Sequence, residues 1–313
     1  MRIAVVGVGG VGGYFGGRLA LAGEDIHLIA RGAHLAGIRG RGLQVRSVAG
    51  DFEVEAPASD DPAEVGVCDY VLFCVKSYDT EEAAAQLRPL VGARTAVVSL
   101  QNGIDNEEKL AAAIGSEHVL GGVAFIFSTI AEPGVIVHTG GPGRILFGEM
   151  DGSSSDRAEA LATVCRKAGI DATATQDIRR LLWDKLAFIC AQSGVTAAIR
   201  LPIGEIREVR DAMDVFRRIV GEVRSVAATE GVELGSDVVE RHEAFCRSLE
   251  PDSYSSLHHD LVNGRHMELE ALHGEVVRRA RSHPVPVAVT ETIYGLLRPW
   301  AIRNERGVPP RSS

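Results

Sequence analysis

Lys185 is a charged residue on an apolar face of a long stretch with helical spacing, "DIRRLLWDKLAFICAQSGVTA". Successive residues of a helix are rotated by about 100°, which places several apolar side chains on the same face as this lysine. These neighbours are Ile178, Leu181, Leu182, Phe188 and Ile189. Arg179, Arg180 and Asp184 fall on other faces, where we expect them to be solvated. A buried ammonium group is costly, so the head group either reaches solvent along its flexible stem or enters a cleft.

Glu268 meets the same test in a later stretch, "SSLHHDLVNGRHMELEALHGEVV". The residues that share its helical face are Leu257, Leu261, Gly264 and Leu272. Glu270 lies on the opposite face. An inward lysine and an inward glutamate compensate each other's charge. They form either a structural ion pair at a helix contact, or a proton donor with the carboxylate that tunes it.

The first residues, "MRIAVVGVGGVGGYFGG", combine a short apolar strand, a glycine turn and the start of a helix. This order matches the G-x-G-x-x-G fingerprint of dinucleotide-binding proteins. The first glycine permits the tight turn, the second lets backbone approach a pyrophosphate, and the third lets helix pack on strand. The residues predicted to line the nucleotide are Gly7, Val8, Gly9, Gly10, Val11 and Gly12. The alternative is a glycine-rich turn that binds nothing.

Three polar residues follow apolar strands at the end where such sheets bind ligands. Arg31 follows "HLIA", where proteins that bind NAD carry an acidic residue, and its guanidinium suits a 2′-phosphate. The sequence therefore favours NADPH over NADH, with a solvated loop arginine as the alternative. Lys76 follows "YVLFCV" and Asn102 lies in "SLQNG", positions from which each can reach the nicotinamide or the substrate. Each can instead be a turn residue.

Short apolar runs alternate with helical stretches up to about residue 175, and only amphipathic helical stretches follow. The first pattern predicts a parallel sheet buried on both faces. We therefore predict an α/β fold with an N-terminal Rossmann domain, a doubly wound parallel sheet, over 1–174. An all-α domain is predicted over 175–303, and the polar, proline-bearing tail 304–313 is predicted to be disordered.

Composition excludes several classes of partner. The formal net charge of −9 argues against nucleic acid, and no apolar run approaches the roughly 18 residues of a membrane span. The chain has no signal-peptide pattern, so we expect a cytoplasmic protein. The aliphatic content of the helical domain is compatible with a homodimer, although no pattern places its interface.

Neither the cysteines nor the histidines indicate a metal site. Cys68, Cys74, Cys165, Cys190 and Cys246 are odd in number, lie apart and form no C-x-x-C pair. They read as buried thiols of a reducing compartment. The histidines of the second domain lie close in sequence, but no carboxylate completes an H-E-x-x-H pattern, so no metal is expected.

Together these motifs resemble the ketopantoate reductase (2-dehydropantoate 2-reductase) family, a branch of the superfamily with a 6-phosphogluconate dehydrogenase-like C-terminal domain. The likeness spans nearly the whole chain, through "GVGGVGG", "CVKSYDT", "SLQNGIDNEEKL", "LLWDKLAFICAQSGVTA" and "RHMELEALHGEVVRRARSHPVPVAVTETIYGLL". The resemblance implies that NADPH delivers hydride to the ketone of a 2-oxo acid, most simply 2-dehydropantoate in pantothenate biosynthesis.

The resemblance also implies roles for individual residues. Lys185 supplies a proton to the forming alkoxide and Glu268 orients that lysine. Asn102 holds nicotinamide and substrate in register, and Ser256 contacts the hydroxyl or carboxylate of the substrate.

Two positions depart from the family pattern. Four and eight residues after the lysine the family usually has asparagines that bind polar groups of the substrate, and this chain has Ile189 and Ser193. An unpaired buried polar group costs about 1–3 kcal/mol, so these positions predict a changed substrate with unchanged chemistry. The alternatives are a reductase of another 2-oxo acid or ketone, and a non-catalytic protein that senses NADP(H).

Overall fold

A computed structural model describes residues 1–307 of the chain. The chain forms two compact units. The first comprises Met1–Gln101 and Asp105–Arg179, and the second comprises Asn102–Ile104 and the residues from Arg180 onward.

The first unit contains one ten-stranded sheet. Its strands are β1 (Arg2–Val6), β2 (Asp25–Ile29), β3 (Leu43–Ser47), β4 (Phe52–Val54), β5 (Ala58–Ser59), β6 (Tyr70–Phe73), β7 (Ala96–Ser99), β8 (Val119–Glu132), β9 (Val135–Glu149) and β10 (Asp171–Ala174). Their order is β4-β3-β9-β8-β7-β6-β1-β2-β5, with β10 paired to β9. The run from β5 to β8 is parallel, and β8 with β9 forms a long antiparallel hairpin.

Five α-helices of the first unit alternate with these strands along the chain. They are α1 (Gly10–Leu21), α2 (Gly32–Arg41), α3 (Thr80–Ala85), α4 (Asn106–Ile114) and α5 (Asp156–Lys167). Short 3-10 turns occur at Pro62–Glu64, Ser77–Asp79, Arg88–Leu90 and Ser116–His118. Helix α5 begins where the side chain of Ser155 accepts a hydrogen bond from the N–H of Ala158, which satisfies one of the first donors of the helix.

Both faces of the parallel sheet are buried. Along β1, Ile3 and Val5 enter one hydrophobic core, whereas Ala4 and Val6 enter a second core on the other side. Alternate side chains of a strand point to opposite faces, so a strand covered on both sides must be apolar throughout. The α/β fold class, with a parallel-dominated sheet followed by a helical region, is therefore confirmed.

The described part of the second unit is helical. Its α-helices are α6 (Ile178–Ile199), which begins in the first unit, α7 (Ile203–Ile206), α8 (Arg210–Thr229), α9 (Val238–Ser248), α10 (Ser256–Val262), α11 (Glu275–Ser282) and α12 (Ala288–Glu305). Residues Glu270–Gly274 form one π-helical turn that leads directly into α11.

Two sequence expectations need correction here. The stretch around Glu268 is not one continuous helix, because α10 ends at Val262 and Gly264 takes a φ of 64°, a left-handed conformation that suits glycine. Helix α12 includes Asn304, where the predicted tail begins. The Asn304 amide donates hydrogen bonds to carbonyl oxygens of Asp260 and Arg265, so its polarity serves an internal contact. Residues 308–313 of that tail lie outside the described residues.

Candidate active site

The glycine turn after β1 is closely packed. Gly7 has a φ of 92°, and a Cβ added there would lie 2.6 Å from the backbone nitrogen of Val75, just past the end of β6. A Cβ at Gly12 would lie 2.3 Å from the carbonyl oxygen of Gly7, and one at Gly10 would lie 2.1 Å from the carbonyl oxygen of Ser128. Side chains are therefore excluded at all three positions by the protein's own backbone.

Gly9 is different, because a Cβ there would meet no atom within 4 Å. It is also the N-cap of α1, and no side chain caps that helix end. The first N–H groups of α1 are thus available beside open space, an arrangement that suits an anionic pyrophosphate. The side chain of Val8 is buried in the core and that of Val11 packs partly against it, so both offer a ligand mainly their backbone.

Arg31 and Lys76 follow the strands on either side of β1. Arg31 comes after β2 and is the N-cap of α2, and its guanidinium lies 3.3 Å from the carboxylate of Glu82. The arginine side chain is 54% exposed, which leaves it accessible to a ligand. Lys76 is exposed and precedes the turn at Ser77–Asp79. The carboxyl ends of β2, β1 and β6 therefore bring together the turn, a guanidinium and an ammonium group.

Asn102 follows β7 and is half-buried in a segment that groups with the second unit. Next to it in the chain lies a buried polar network that the sequence analysis missed. Gln101 donates to Thr80 Oγ1 at 2.7 Å, and Thr80 Oγ1 in turn donates to Asn106 Oδ1 at 3.0 Å. Neighbouring Glu107 is buried, and this desolvation raises its pKa to about 7. These residues carried no sequence signal, because "NEEK" resembles an ordinary solvated helix start.

The structure brings Lys185 and Glu268 together within the second unit. Desolvation lowers the pKa of Lys185 to about 8, and the nearby charge of Glu268 raises it again in part. Glu268 is only 6% exposed and lies in the turn before the π-helical segment. A partly exposed lysine and a buried carboxylate therefore form a charge pair, which can hold and release a proton near neutral pH.

The face of α6 that carries Lys185 is less buried than the apolar stripe suggested. Lys185, Phe188 and Ile189 are partly exposed, whereas Ile178 and Leu182 on the same stripe are buried. A charge at the edge of a partly open face can contact both protein and ligand. The predicted stripe therefore combines a buried part at Ile178 and Leu182 with a partly open part around Lys185.

The remaining predicted substrate residues have contrasting surroundings. Ser193 is 1% exposed, and its hydroxyl has no hydrogen-bond partner in the part of the chain that the structure describes. Ser256 is the exposed first residue of α10. The neighbouring Ser255 is buried, and its hydroxyl lies 2.8 Å from that of Thr196 on α6.

Asp184, expected to be solvated, is instead paired with side chains of α9. Its carboxylate lies 2.9 Å from Arg241 and 3.4 Å from His242. Desolvation raises the pKa of Asp184, but the nearby His242 and the hydrogen bond from Arg241 outweigh it and bring the pKa to about 2. Asp184, the charge next to Lys185 in sequence, therefore links α6 to α9 rather than facing solvent.

Within residues 1–307, no three metal-binding side chains come together and no helix is long and apolar enough to cross a membrane. All five cysteines are free thiols, and burial raises the pKa of each of them.

Comparison with known proteins identifies the family. Residues 3–152 match the model described as ketopantoate reductase PanE/ApbA, and residues 177–301 match its C-terminal model. A 2-dehydropantoate 2-reductase of Halobacterium salinarum is 35% identical over 302 residues, covering 95% of this chain and 98% of the relative. The crystal structure of a PanE/ApbA family ketopantoate reductase from Ralstonia eutropha has a TM-score of 0.90 at 32% identity, covering 97% of this chain and all of that one.

A D-mandelate dehydrogenase solved with NADH and anilino(oxo)acetate shares the fold, with a TM-score of 0.89 at 22% identity over 97% of this chain and 99% of that one. The two family models together account for most of the sequence and fall on the two regions that carry the glycine turn and the Lys185–Glu268 pair. The chain is therefore an oxidoreductase that belongs to the ketopantoate reductase family.

Proposed function

We propose that the protein is an NADPH-dependent reductase of a 2-oxo acid, with 2-dehydropantoate as the leading candidate and pantoate as its product. The observation that carries the proposal is the lysine of α6 with a pKa of about 8 beside a buried carboxylate. Bound NADPH supplies a hydride to the carbonyl carbon. As that bond forms, the electron pair of the C=O π bond moves to oxygen, which needs a proton.

Lys185 is the proposed proton donor. Its ammonium group is charged at neutral pH, yet it is more acidic than an ordinary lysine because its surroundings desolvate it. Before transfer it stabilises negative charge on the substrate oxygen, and transfer leaves a neutral amine that regains a proton from solvent. Glu268 keeps the ammonium group charged and oriented.

The residues of the first unit fit the cofactor. The open space at Gly9 and the uncapped start of α1 suit the pyrophosphate, and Gly7, Gly10 and Gly12 keep the turn narrow. Arg31, which follows β2, is proposed to donate to the 2′-phosphate that distinguishes NADPH from NADH. Lys76 and Asn102 are proposed to contact the nicotinamide end of the cofactor, and Asn102 also the substrate.

Ile189, Ser193 and Ser256 are the proposed determinants of the substrate. Ser193 offers a buried hydroxyl, whereas Ile189 offers only apolar surface four residues from the catalytic lysine. This pairing favours a 2-oxo acid with few polar groups on its side chain. The second candidate function is therefore reduction of a different 2-oxo acid on the same fold.

A substrate panel tests the proposal. Purified protein is mixed with NADPH or NADH and each of several 2-oxo acids, including 2-dehydropantoate, and oxidation of the cofactor is followed by absorbance. Turnover of 2-dehydropantoate with NADPH supports the leading candidate, and a preference for another acid supports the second one. Tight NADPH binding with no turnover of any carbonyl compound would instead indicate a protein that senses NADP(H).

Two further proposals concern the location of the protein in the cell and its oligomeric state. The five free cysteines, four of them buried, fit a cytoplasmic enzyme in a reducing compartment. A homodimer stays a prediction, and light scattering of the purified protein tests it.

A further inference from the structure

We infer that His273 is a positioning residue, which fixes the register between α6 and the segment that carries Glu268 and so holds the Glu268 carboxylate beside Lys185. This inference deepens the proposed function and rests on it for the catalytic meaning of the pair. The contact itself lies wholly within the second unit.

The contact is a buried hydrogen bond. His273 is 0% exposed, and its Nε2 lies 2.9 Å from the carbonyl oxygen of Cys190 on α6. A carbonyl oxygen only accepts, so Nε2 carries the ring proton and donates it. Burial lowers the pKa of His273 to about 4, which keeps the ring neutral at neutral pH. Nδ1 is then a bare acceptor, and it has no hydrogen-bond partner in the described part of the chain.

The spacing of the two contacts defines a register. Cys190 lies five residues after Lys185, and His273 lies five residues after Glu268. Because Glu268 acts on Lys185 while His273 bonds to Cys190, the two segments run alongside each other in the same direction. A slip of either segment would break both contacts together.

The π-helical turn explains how His273 reaches inward. In an α-helix, residues three apart lie on the same side, which would place Glu270 and His273 together. Here the N–H of Gly274 donates to the carbonyl oxygen of Leu269 at 3.0 Å, the wider spacing of a π turn. Glu270 consequently points outward, where it accepts hydrogen bonds from Tyr294 at 2.9 Å and from Arg278 at 3.0 Å. The π turn thus directs the side chain of Glu270 outward and that of His273 inward.

Gly194 makes room for the ring. A Cβ at Gly194 would lie 2.9 Å from His273 Nε2 and 3.2 Å from Ile293 Cγ2. Glycine in a helix interior costs roughly 1 kcal/mol relative to alanine, so its presence in α6 is explained by this close approach. Gly194 therefore offers a second way to disturb the contact, from the helix that carries Lys185.

The test measures the titration of Lys185 without any cofactor. The rate at which acetic anhydride labels this lysine is followed against pH by mass spectrometry in wild type, His273→Leu, His273→Gln and Gly194→Ala. Leucine removes the donor, whereas the glutamine amide places a donor close to the position of Nε2. Val223→Ala is the control, since it removes buried volume from α8 in the same unit and changes neither partner of this hydrogen bond.

We expect His273→Leu and Gly194→Ala to lower the pKa of Lys185 by about half a unit or more, because Glu268 no longer supports its charge. The kcat of both variants should fall roughly tenfold with a smaller change in KM, since a misplaced proton donor affects mainly the chemical step. His273→Gln should retain most of the wild-type titration, and Val223→Ala should leave it unchanged.

Two results would overturn the inference. One is a folded His273→Leu variant in which the pKa of Lys185 equals that of the wild type. If that variant does not fold, the same result in Gly194→Ala overturns the inference. The other is an equal fall in the pKa of Lys185 in Val223→Ala, which would mean that any loss of packing in this unit disturbs the Lys185–Glu268 pair. If the wild type reduces no 2-oxo acid, the proposed function fails, but the labelling titration still decides the role of His273.

Discussion

The glycine turn after β1 and the Lys185–Glu268 pair are built by different means. The turn uses backbone within one short stretch, where Gly7, Gly10 and Gly12 exclude side chains and Gly9 leaves open space. The pair uses two side chains from distant parts of the second unit, a partly exposed lysine and a carboxylate that packing buries. A binding site of the first kind is visible in local sequence, whereas a charge pair of the second kind depends on tertiary structure. Substitutions in the two regions should therefore fail in different ways.

Lys185→Ala should have the largest effect. Loss of a general acid slows proton transfer by about 100-fold to 10,000-fold, so kcat should fall in that range while the Kd for NADPH changes little. Steady-state kinetics and isothermal titration calorimetry measure the two quantities. Arg218→Ala, which removes an exposed cation from α8, is the matched control and should behave like wild type. Near-normal turnover of Lys185→Ala would remove the catalytic assignment.

Gly7→Ala and Gly9→Ala separate folding from binding within the turn. At Gly7 the methyl group meets backbone and the φ of 92° is strained for alanine, so we expect a loss of about 1–3 kcal/mol in unfolding free energy. At Gly9 the methyl group meets no protein atom, so stability should be unchanged while NADPH binding weakens roughly tenfold or more. Urea unfolding measures the stability of both variants, and calorimetry measures their affinity for NADPH. Unchanged NADPH affinity in Gly9→Ala would show that the pyrophosphate does not approach this residue.

Arg31→Ala and Glu82→Gln test the choice of cofactor. Loss of the guanidinium should weaken NADPH binding by about 10-fold to 150-fold, since hydrogen bonds to charged groups contribute about 1.5–3 kcal/mol, and should leave NADH binding nearly unaffected. Glu82→Gln removes an exposed carboxylate that competes for Arg31, so NADPH should bind up to a few-fold tighter, in line with about 0–1 kcal/mol for exposed pairs. Equal effects on both cofactors would contradict a contact with the 2′-phosphate.

The pH dependence gives the finest test of the charge pair. Because Lys185 must be protonated to act as the acid, kcat should fall as pH rises through about 8. Glu268 raises the pKa of Lys185, so Glu268→Gln should move this alkaline limb to lower pH. Glu240→Gln, at an exposed carboxylate of α9, is the control and should leave the limb in place. An unmoved limb in Glu268→Gln would show that the carboxylate does not tune the lysine.

The same lysine should affect stability in the opposite direction. Its pKa is about 8 in the folded protein, against about 10.4 in an unfolded chain. The unfolded chain therefore binds more protons between these values, and stability should increase with pH across that interval. Lys185→Met should reduce this dependence, as urea unfolding at several pH values would show.

Much of the first unit was predictable because its signals are local. An apolar strand followed by glycines at fixed spacing predicts the turn, and alternating apolar runs predict the parallel sheet. The buried network at Gln101, Thr80 and Asn106 was not predictable, since its members are common polar residues that meet only after folding. Gly10 was assigned to the nucleotide from spacing alone, and its packing against Ser128 of β8 is a contact that no local pattern reveals.

In the second unit, the helical stretches were predictable but their interruptions were not. The spacing argument for Glu268 assumed an unbroken helix, yet the chain leaves the helix at Gly264 and returns through a π turn. Glu268 is nevertheless buried, in the turn that precedes the π-helical segment. For Asp184 the prediction was wrong in the opposite sense. Its helical spacing predicted a solvated charge, but its carboxylate pairs with Arg241 of α9. Periodicity identifies faces, whereas tertiary contacts decide what covers them.

The state of the native cysteines has a practical consequence. Burial raises the pKa of Cys68 and Cys246 to about 11 and that of Cys165 to about 12, and it raises those of the other two further still, so all five are protonated at neutral pH. A thiol introduced as Gly9→Cys would face open space and would react with maleimide dyes far faster than this background. Such a fluorophore would report occupancy of the turn directly, in single molecules as well as in bulk, before any substrate is known.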